Sequence, residues 1–149
     1  MEHITILTKS EAGALIFESG TFSPETTPAI GQLFGGDRFS CIDEAVALEV
    51  DGEIVGLATI APNGEQSSGQ PTIVGVFVRH QFRGKRYAYP IMMAAIDRMR
   101  ERGLSRPYLV DAMSSPMFRV CQGLPDEYRA DLEVRDLSMS GMLDIVMLA

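Results

Sequence analysis

Metal-ligating and disulfide-forming residues are scarce in this chain of 149 residues, which has two cysteines and two histidines. Cys41 and Cys121 lie in no C-x-x-C frame and beside no histidine pair. The sequence therefore assigns no metal, and the two thiols read as reduced. Long apolar runs are missing too: none approaches the roughly 20 residues a membrane-spanning helix needs. Met1-Glu2-His3 is not a basic leader and precedes no long apolar segment, so no secretory signal is read. These absences predict a cytoplasmic protein without a membrane partner. Positive charge is in deficit, with 13 Lys and Arg against 20 Asp and Glu and a net charge of −7. Such a surface repels nucleic acid at long range, and aromatic residues are not interleaved with the basic ones, so nucleic acid is not an expected partner. No repeat, low-complexity segment or linker interrupts the chain. At 46% hydrophobic and 22% charged residues it reads as one globular domain over residues 1–149.

What is there is a succession of short periodic segments. His3 to Thr8 reads as a strand. Ser10 is the expected N-cap of a helix whose apolar face includes Ala14, Leu15 and Phe17, with Gly20 ending it. Ser23-Pro24 predicts a second helix, with Ile30, Leu33 and Phe34 at helical spacing before Gly35-Gly36. From Ala45 the period changes to two, with Val46, Leu48 and Val50 on one face. Asp51-Gly52 then predicts a two-residue hairpin turn into Ile54 to Ile60. Pro62 to Pro71 is a polar loop. Thr72 to Val78 is almost wholly apolar, as in a strand covered on both faces.

A helix over Tyr87 to Arg102 follows, with Ile91, Met92, Ala95, Ile96 and Met99 inward, Arg98, Arg100 and Arg102 at its end, and Gly103 stopping it. Pro107 to Ala112 is a strand, and a short helix runs from Ser114 or Ser115 to Gly123. Two further strands, Ala130 to Leu137 and Met142 to Leu148, flank a turn at Ser138 to Gly141. The predicted order is β-α-α-β-β-β-α-β-α-β-β, a mixed α/β fold with helices on the faces of a central, mostly antiparallel sheet.

Four of the scarce cations fall together at Arg79, Arg83, Lys85 and Arg86, with His80 among them. They occupy a turn between a buried strand and a helix. The first amides of a helix have no internal partner and carry the positive end of its dipole. A phosphate group is the natural occupant, and Arg83, Lys85 and Arg86 add charge-assisted contacts. The turn fits neither GxxxxGK(S/T) nor GxGxxG.

The segment Val78-Arg79-His80-Gln81-Phe82-Arg83-Gly84-Lys85-Arg86-Tyr87-Ala88 resembles the central motif of the GCN5-related N-acetyltransferase (GNAT) family, V-x-P-x-Y/F-R-G-x-G-x-G/A. Val78, Phe82, Arg83, Gly84 and Ala88 match. His80 stands at the usual proline, and Arg86 at a usual glycine, where a helical backbone would admit an arginine. The predicted element order is also similar to the family's over nearly the whole chain. Asp111 to Phe118 is similar to the family's N-x-x-A-x-x-L/F-Y segment, with Phe118 at the tyrosine.

The resemblance implies the acyl-CoA N-acyltransferase fold and transfer of an acetyl group from acetyl-CoA to a primary amine, a small-molecule or peptide acceptor. It implies that Gly84, Lys85, Arg86, Tyr87 and Ala88, with Arg83, hold the pyrophosphate. It implies that backbone groups near Phe77 and Val78 pair with the pantetheine arm. Asp111 is the base candidate, and holding the arm or capping the following helix are its other readings. Phe118 has no hydroxyl, so Ser114, Cys121 or water stands in as the acid. Met113 and Met117 line an acceptor pocket or fill the core. A homodimer through Met142 to Leu148 fits the family's habits. The alternative reading is a catalytically inactive acyl-CoA-binding module of the same fold.

Overall fold

The computed structural model describes residues 1–17, 41–64, 68–112 and 115–136. Along them run β1 (Glu2–Thr8), α1 (Lys9–Phe17), β2 (Glu44–Val50), β3 (Glu53–Ala61), β4 (Thr72–Val78), α2 (Ala88–Glu101), β5 (Tyr108–Ala112), α3 (Ser115–Gly123), α4 (Asp126–Arg129) and β6 (Leu132–Asp136). The six strands form one sheet in chain order. β1 to β4 pair antiparallel, and β4–β5 and β5–β6 pair parallel. The fold is the expected mixed α/β sheet flanked by helices. The predicted helix after Ser23, the residues Met113 and Ser114, the turn at Ser138 and the strand Met142 to Leu148 lie outside the described residues.

Period-two alternation in β2 sorts its side chains onto two cores. Val46 and Leu48 pack with Val50 beneath α2, while Ala45 and Ala47 pack against Leu7, Ala12, Ile16 and Leu57 beneath α1. The hairpin after β2 is as expected: Asp51 and Gly52 have φ of +52° and +84°, the left-handed pair such a turn requires. α1 departs from expectation at two points. Its cap is Thr8, not Ser10: the Thr8 hydroxyl accepts from the Glu11 amide at 3.1 Å, and the Glu11 carboxylate accepts from the Thr8 amide at 2.9 Å. Its buried stripe is Ala12 and Ile16, while Ala14 is exposed and Leu15 half-buried. In a helix apolar nearly all round, the cap sets which stripe faces the sheet.

α2 is the main brace of the molecule. Ile91, Met92, Ala95, Ile96 and Met99 are all fully buried, as their spacing predicts. Each large side chain of this set contributes about 1.5–3 kcal/mol by leaving water. Gly103, at φ +72°, ends the helix, and the Leu104 amide donates to the Met99 carbonyl. The terminal arginines hold the helix to the sheet. Arg98 pairs with Glu44 at 2.8 Å, and Arg102 pairs with Asp43 at 2.8 Å and Glu44 at 3.0 Å. Arg100 reaches Asp131, just before β6, at 2.8 Å, and Arg106 meets the same carboxylate at 3.2 Å. α4, which the sequence pattern hid inside a loop, places Tyr128 against Asp97 of α2 at 3.0 Å and against the Arg100 guanidinium. β6 accordingly begins at Leu132 rather than Ala130.

Burial pushes the Asp131 carboxyl towards the neutral acid, and the Arg100 and Arg106 guanidinium groups more than reverse this, leaving its pKa below the ordinary 3.8. A carboxylate of that kind stabilises the fold above its unfolded pKa, and the contribution is lost as pH falls through the folded value. Asp131→Asn should cost about 1–3 kcal/mol at neutral pH through the guanidinium groups left unpaired. Urea midpoints of parent and variant should converge on acidification below 3.8.

Candidate active site

The site begins with a register fault in β4. Thr59 of β3 stands opposite Gly75, but Ile60 stands opposite Ile73, so Val74 is an extra residue in the ladder. The Gly75 amide donates instead to the Thr59 hydroxyl at 3.1 Å, and Thr59 is fully buried. The parallel pairing of β4 with β5 stops at the same level. Thr72 and Ile73 pair with Leu109 and Val110, and no later residue of β4 pairs with β5. A bulge bends its strand and raises the local twist. Beyond Val74 the two strands part, and Gly75 to Val78 are half-buried rather than covered on both faces as the sequence predicts.

This cleft carries unpaired main chain. The Arg79 amide donates to the Val55 carbonyl at 2.8 Å, so Arg79 and, two residues back, Phe77 turn their main-chain groups to β3. Val76 and Val78 alternate with them and turn theirs to the cleft. Phe77, expected to meet the pantetheine arm with Val78, is thus placed otherwise. Its main chain faces β3, and its ring lies over Gly75, 2.7 Å from where a Cβ there would sit, between the two cores on the α1 face. Val76 is the cleft residue that the motif comparison missed. Strand alternation, counted from a known β3 pair, is the signal that finds it.

At the mouth of the cleft the chain makes a single turn of 3-10 helix, His80–Phe82, and then the basic turn. Arg83 is exposed, and its Nε donates to the Val78 carbonyl at 3.2 Å, tying the turn to the end of β4. Gly84 has φ +82°, with open space where a Cβ would point. Arg86 has φ +64°. The helical backbone that would admit an arginine at this position is therefore not the one found. Arg86 adopts the left-handed backbone that glycine favours, at a cost of about 1–2 kcal/mol. Its side chain turns aside, with the guanidinium carbon 5.2 Å from the Tyr89 ring centre. Lys85 lies over Phe82 at 5.7 Å, and Phe82 meets Tyr87 edge to face.

Tyr87 caps α2, which opens at Ala88. Among the described residues, the amides of Gly84, Lys85, Arg86, Tyr87 and Ala88 donate to no acceptor. Left-handed residues at 84 and 86, alternating with right-handed backbone at Tyr87, make the amide concavity that binds anions. The residues present thus fit a diphosphate, with uncommitted amides, positive charge and a helix N-terminus together.

The far wall of the cleft is β5. Asp111 lies at its end with 5% of its side chain exposed, and both oxygens are engaged by Arg135 of β6, at 2.6 and 2.8 Å. The two residues are partners in the β5–β6 ladder. A carboxylate held on both oxygens is a brace before it is a base, and Arg135 is a residue the sequence did not single out. Ser114 lies outside the described residues. Cys121 is 1% exposed in the core under α2, where burial lifts its thiol pKa to about 11. Phe118 is half-buried, and Met117 packs against the same core.

A sheet split between parallel strands, with a concavity of amides opening the next helix, is an arrangement whose residues fit an acyl-CoA. The model of the acetyltransferase (GNAT) family matches residues 17–117, and the chain belongs to that family, whose general chemistry is acetyl transfer from an acyl-CoA. Comparison with curated proteins gives no match. An IAA acetyltransferase from Bacillus cereus is similar, with a TM-score of 0.57 and 14% identity over 82% of this chain and 74% of that one. A ribosomal-protein-alanine N-acetyltransferase from Brucella melitensis biovar Abortus gives 0.53 and 20% over 84% and 92%. A GNAT family N-acetyltransferase from Escherichia coli, solved in complex with CoA, gives 0.54 and 13% over 80% and 67%. At these identities the likeness is one of fold.

Thr59→Val should leave the Gly75 amide unsatisfied and cost about 1–3 kcal/mol of stability. Titration calorimetry should also show weaker acetyl-CoA binding as the cleft closes or disorders. Thr59→Ser, which keeps the hydroxyl, should restore both.

Proposed function

We propose that this chain is an N-acetyltransferase that moves an acetyl group from acetyl-CoA to the primary amine of a small molecule or peptide. The observation that carries the reading is the cup of five unpaired amides at Gly84 to Ala88, set at the mouth of the split between β4 and β5. When bound there, acetyl-CoA supplies an activated acyl group as a thioester. The chain holds and orients it. The amide cup, with Arg83 and Lys85, grips the diphosphate. The main-chain N–H and C=O of Val76, turned into the cleft, satisfy the amides of the pantetheine arm, while the Val78 carbonyl holds Arg83. The Val78 N–H is the donor we assign to the thioester carbonyl oxygen, where it would steady the charge that develops on attack. Holding amine and carbonyl together supplies the rest of the rate. A net charge of −7 favours a cationic acceptor. The whole chain acts as one cytoplasmic domain in this reading.

Proton handling follows from the ion pair. Asp111 acts through Arg135: together they fix the far wall of the cleft, and the proton leaving the amine passes to water in it. With Phe118 at the acid position, water or Ser114 protonates the departing thiolate. A direct base at Asp111 is the competing assignment, and paired variants separate the two. Asp111→Asn and Arg135→Gln should lower turnover by similar factors and lower stability together. A large loss of turnover in Asp111→Asn alone, with Arg135→Gln still active, would assign the base to Asp111.

The cup is tested by Arg83→Glu and Arg86→Gly. Reversing charge at exposed Arg83 should weaken acetyl-CoA binding by about 10-fold or more, as loss of a charge-assisted contact of ~1.5–3 kcal/mol implies. Arg86→Gly relieves the left-handed strain, so it should bind acetyl-CoA at least as well as the parent and be as stable. Unchanged affinity in Arg83→Glu by calorimetry would remove the cup from the diphosphate. Release of free thiol with a panel of amines then separates an active enzyme from a binding module.

A further inference from the structure

Among the described residues β1 is an edge strand, bonded to β2 alone. The Met1 carbonyl accepts from the Asp51 amide at 3.1 Å, which marks Met1 and Asp51 as a hydrogen-bonded pair. In an antiparallel ladder, alternate residues turn both main-chain groups to the partner strand. His3, Thr5 and Leu7 therefore face β2, and Glu2, Ile4 and Ile6 turn N–H and C=O outward. Thr8 belongs to the outward set, and its N–H is taken by the Glu11 carboxylate at 2.9 Å. Among the described residues nothing takes up the outward groups of Glu2, Ile4 and Ile6. The side chains tell the same story. Ile4 and Ile6 stand opposite Leu48 and Val46 on the α2 face, yet are 48% and 42% exposed. Protected edges carry proline, lysine or a bulge, and β1 has none of these.

We propose that a second copy of this chain occupies this edge, its β1 running antiparallel about a twofold axis that passes between the two Thr5 residues. Such an axis stands perpendicular to the sheet and keeps each face on its own side, so outward residues meet outward residues. Centred on Thr5, it sets Ile4 opposite the partner's Ile6 and Ile6 opposite the partner's Ile4. Both pairs exchange two main-chain hydrogen bonds, and the four isoleucines form one apolar patch. That patch runs on into a groove of about 320 Å³ lined by Leu48, Pro90, Met93 and Ala94.

Glu2 falls opposite the partner's Thr8, whose N–H is taken by Glu11 and whose carbonyl caps α1, so the shared ladder ends at the Ile4–Ile6 pairs. His3 falls opposite the partner's Leu7, so no like charges meet. Moving the axis to Ile6 would set Ile4 against Thr8, leaving one fully bonded pair, Ile6 with the partner's Ile6, in place of two. Moving it to Ile4 would set the Glu2 carboxylate against the partner's Ile6. Self-complementarity of charge, polarity and hydrogen bonding thus selects one register and one occupant.

Sedimentation velocity over a concentration series tests the interface. The parent chain should dimerise, and Ile4→Lys should be monomeric, with a cooperative thermal transition whose midpoint no longer rises with protein concentration. Thr5→Cys reports the register, because the two Thr5 residues form a non-hydrogen-bonded pair with Cα atoms about 4.5 Å apart, within disulfide range. It should give a disulfide-linked dimer on air oxidation. His3→Cys, opposite the partner's Leu7, should not. A parent chain monomeric at every concentration, a dimer that survives Ile4→Lys, or equal cross-linking of the two cysteine variants would overturn the proposal.

Discussion

The site depends on one buried hydroxyl. A sheet of this size closes unless something parts two neighbouring strands, and parting them leaves main-chain groups without partners. Thr59 settles that conflict at the point where it is worst. Its side chain takes the Gly75 amide displaced by the extra residue Val74, so β4 can bend without leaving a buried donor unsatisfied. The bend ends the pairing with β5 at Ile73 and leaves the main-chain groups of Val76 and the Val78 N–H turned to the cleft, while the Val78 carbonyl takes Arg83. A ligand with amides of its own is the natural complement to such groups, which is the chemistry of a pantetheine arm. Gly56 and Gly75 complete the arrangement. A Cβ at 56 would stand 2.6 Å from the Phe77 carbonyl, and one at 75 would enter the Phe77 ring.

The anion cup follows a different logic. There the backbone holds strain rather than avoiding it. Arg86 sits in a left-handed conformation that glycine adopts freely and arginine does not. A strained residue persists where its surroundings over-determine it, and such residues cluster at ligand clamps. The compensation is visible in the side chains, since the Arg86 guanidinium is placed over Tyr89 and Lys85 over Phe82. Tyr89 in turn lies against Gly123, its hydroxyl 2.8 Å from a Cβ position there, so the cup is packed through α2 onto α3. The backbone keeps a left-handed turn of the kind found in anion-binding concavities, and the Arg86 side chain is turned aside onto Tyr89.

What the sequence makes legible is what depends on periodicity and on turn chemistry. The bounds of β4, the five buried residues of α2, the Asp51-Gly52 turn and the Gly103 stop are all set by local patterns, and local patterns survive folding. The basic turn was equally plain, because four clustered cations in an acidic chain need a reason. Three features resisted. The bulge at Val74 inserts a residue without altering composition. The cap of α1 moved to Thr8 because a reciprocal pair with Glu11 outweighs a lone serine. The partner of Asp111 could not be read at all, because Arg135 lies 24 residues away and meets it only through strand pairing. The left-handed backbone at Arg86 was hidden by the residue itself: a glycine would have announced it.

The position of α2 links the two halves of this account. Its N-terminus points its amides and the positive end of its dipole at the cup, so any tilt of the helix moves the proposed anion site. Two sets of contacts resist that tilt. The buried stripe from Ile91 to Met99 fixes the helix on the sheet, and Arg98, Arg100 and Arg102 fix its far end to Asp43, Glu44 and Asp131. These arginines also sit where the negative end of the dipole lies. The acidic partners therefore serve as anchors at one end of a lever whose other end is the site. This division explains the charge pattern of the chain. Cations at the C-terminal end of α2 are neutralised by carboxylates, while those in the turn Arg83 to Arg86 are exposed and meet no carboxylate among the described residues.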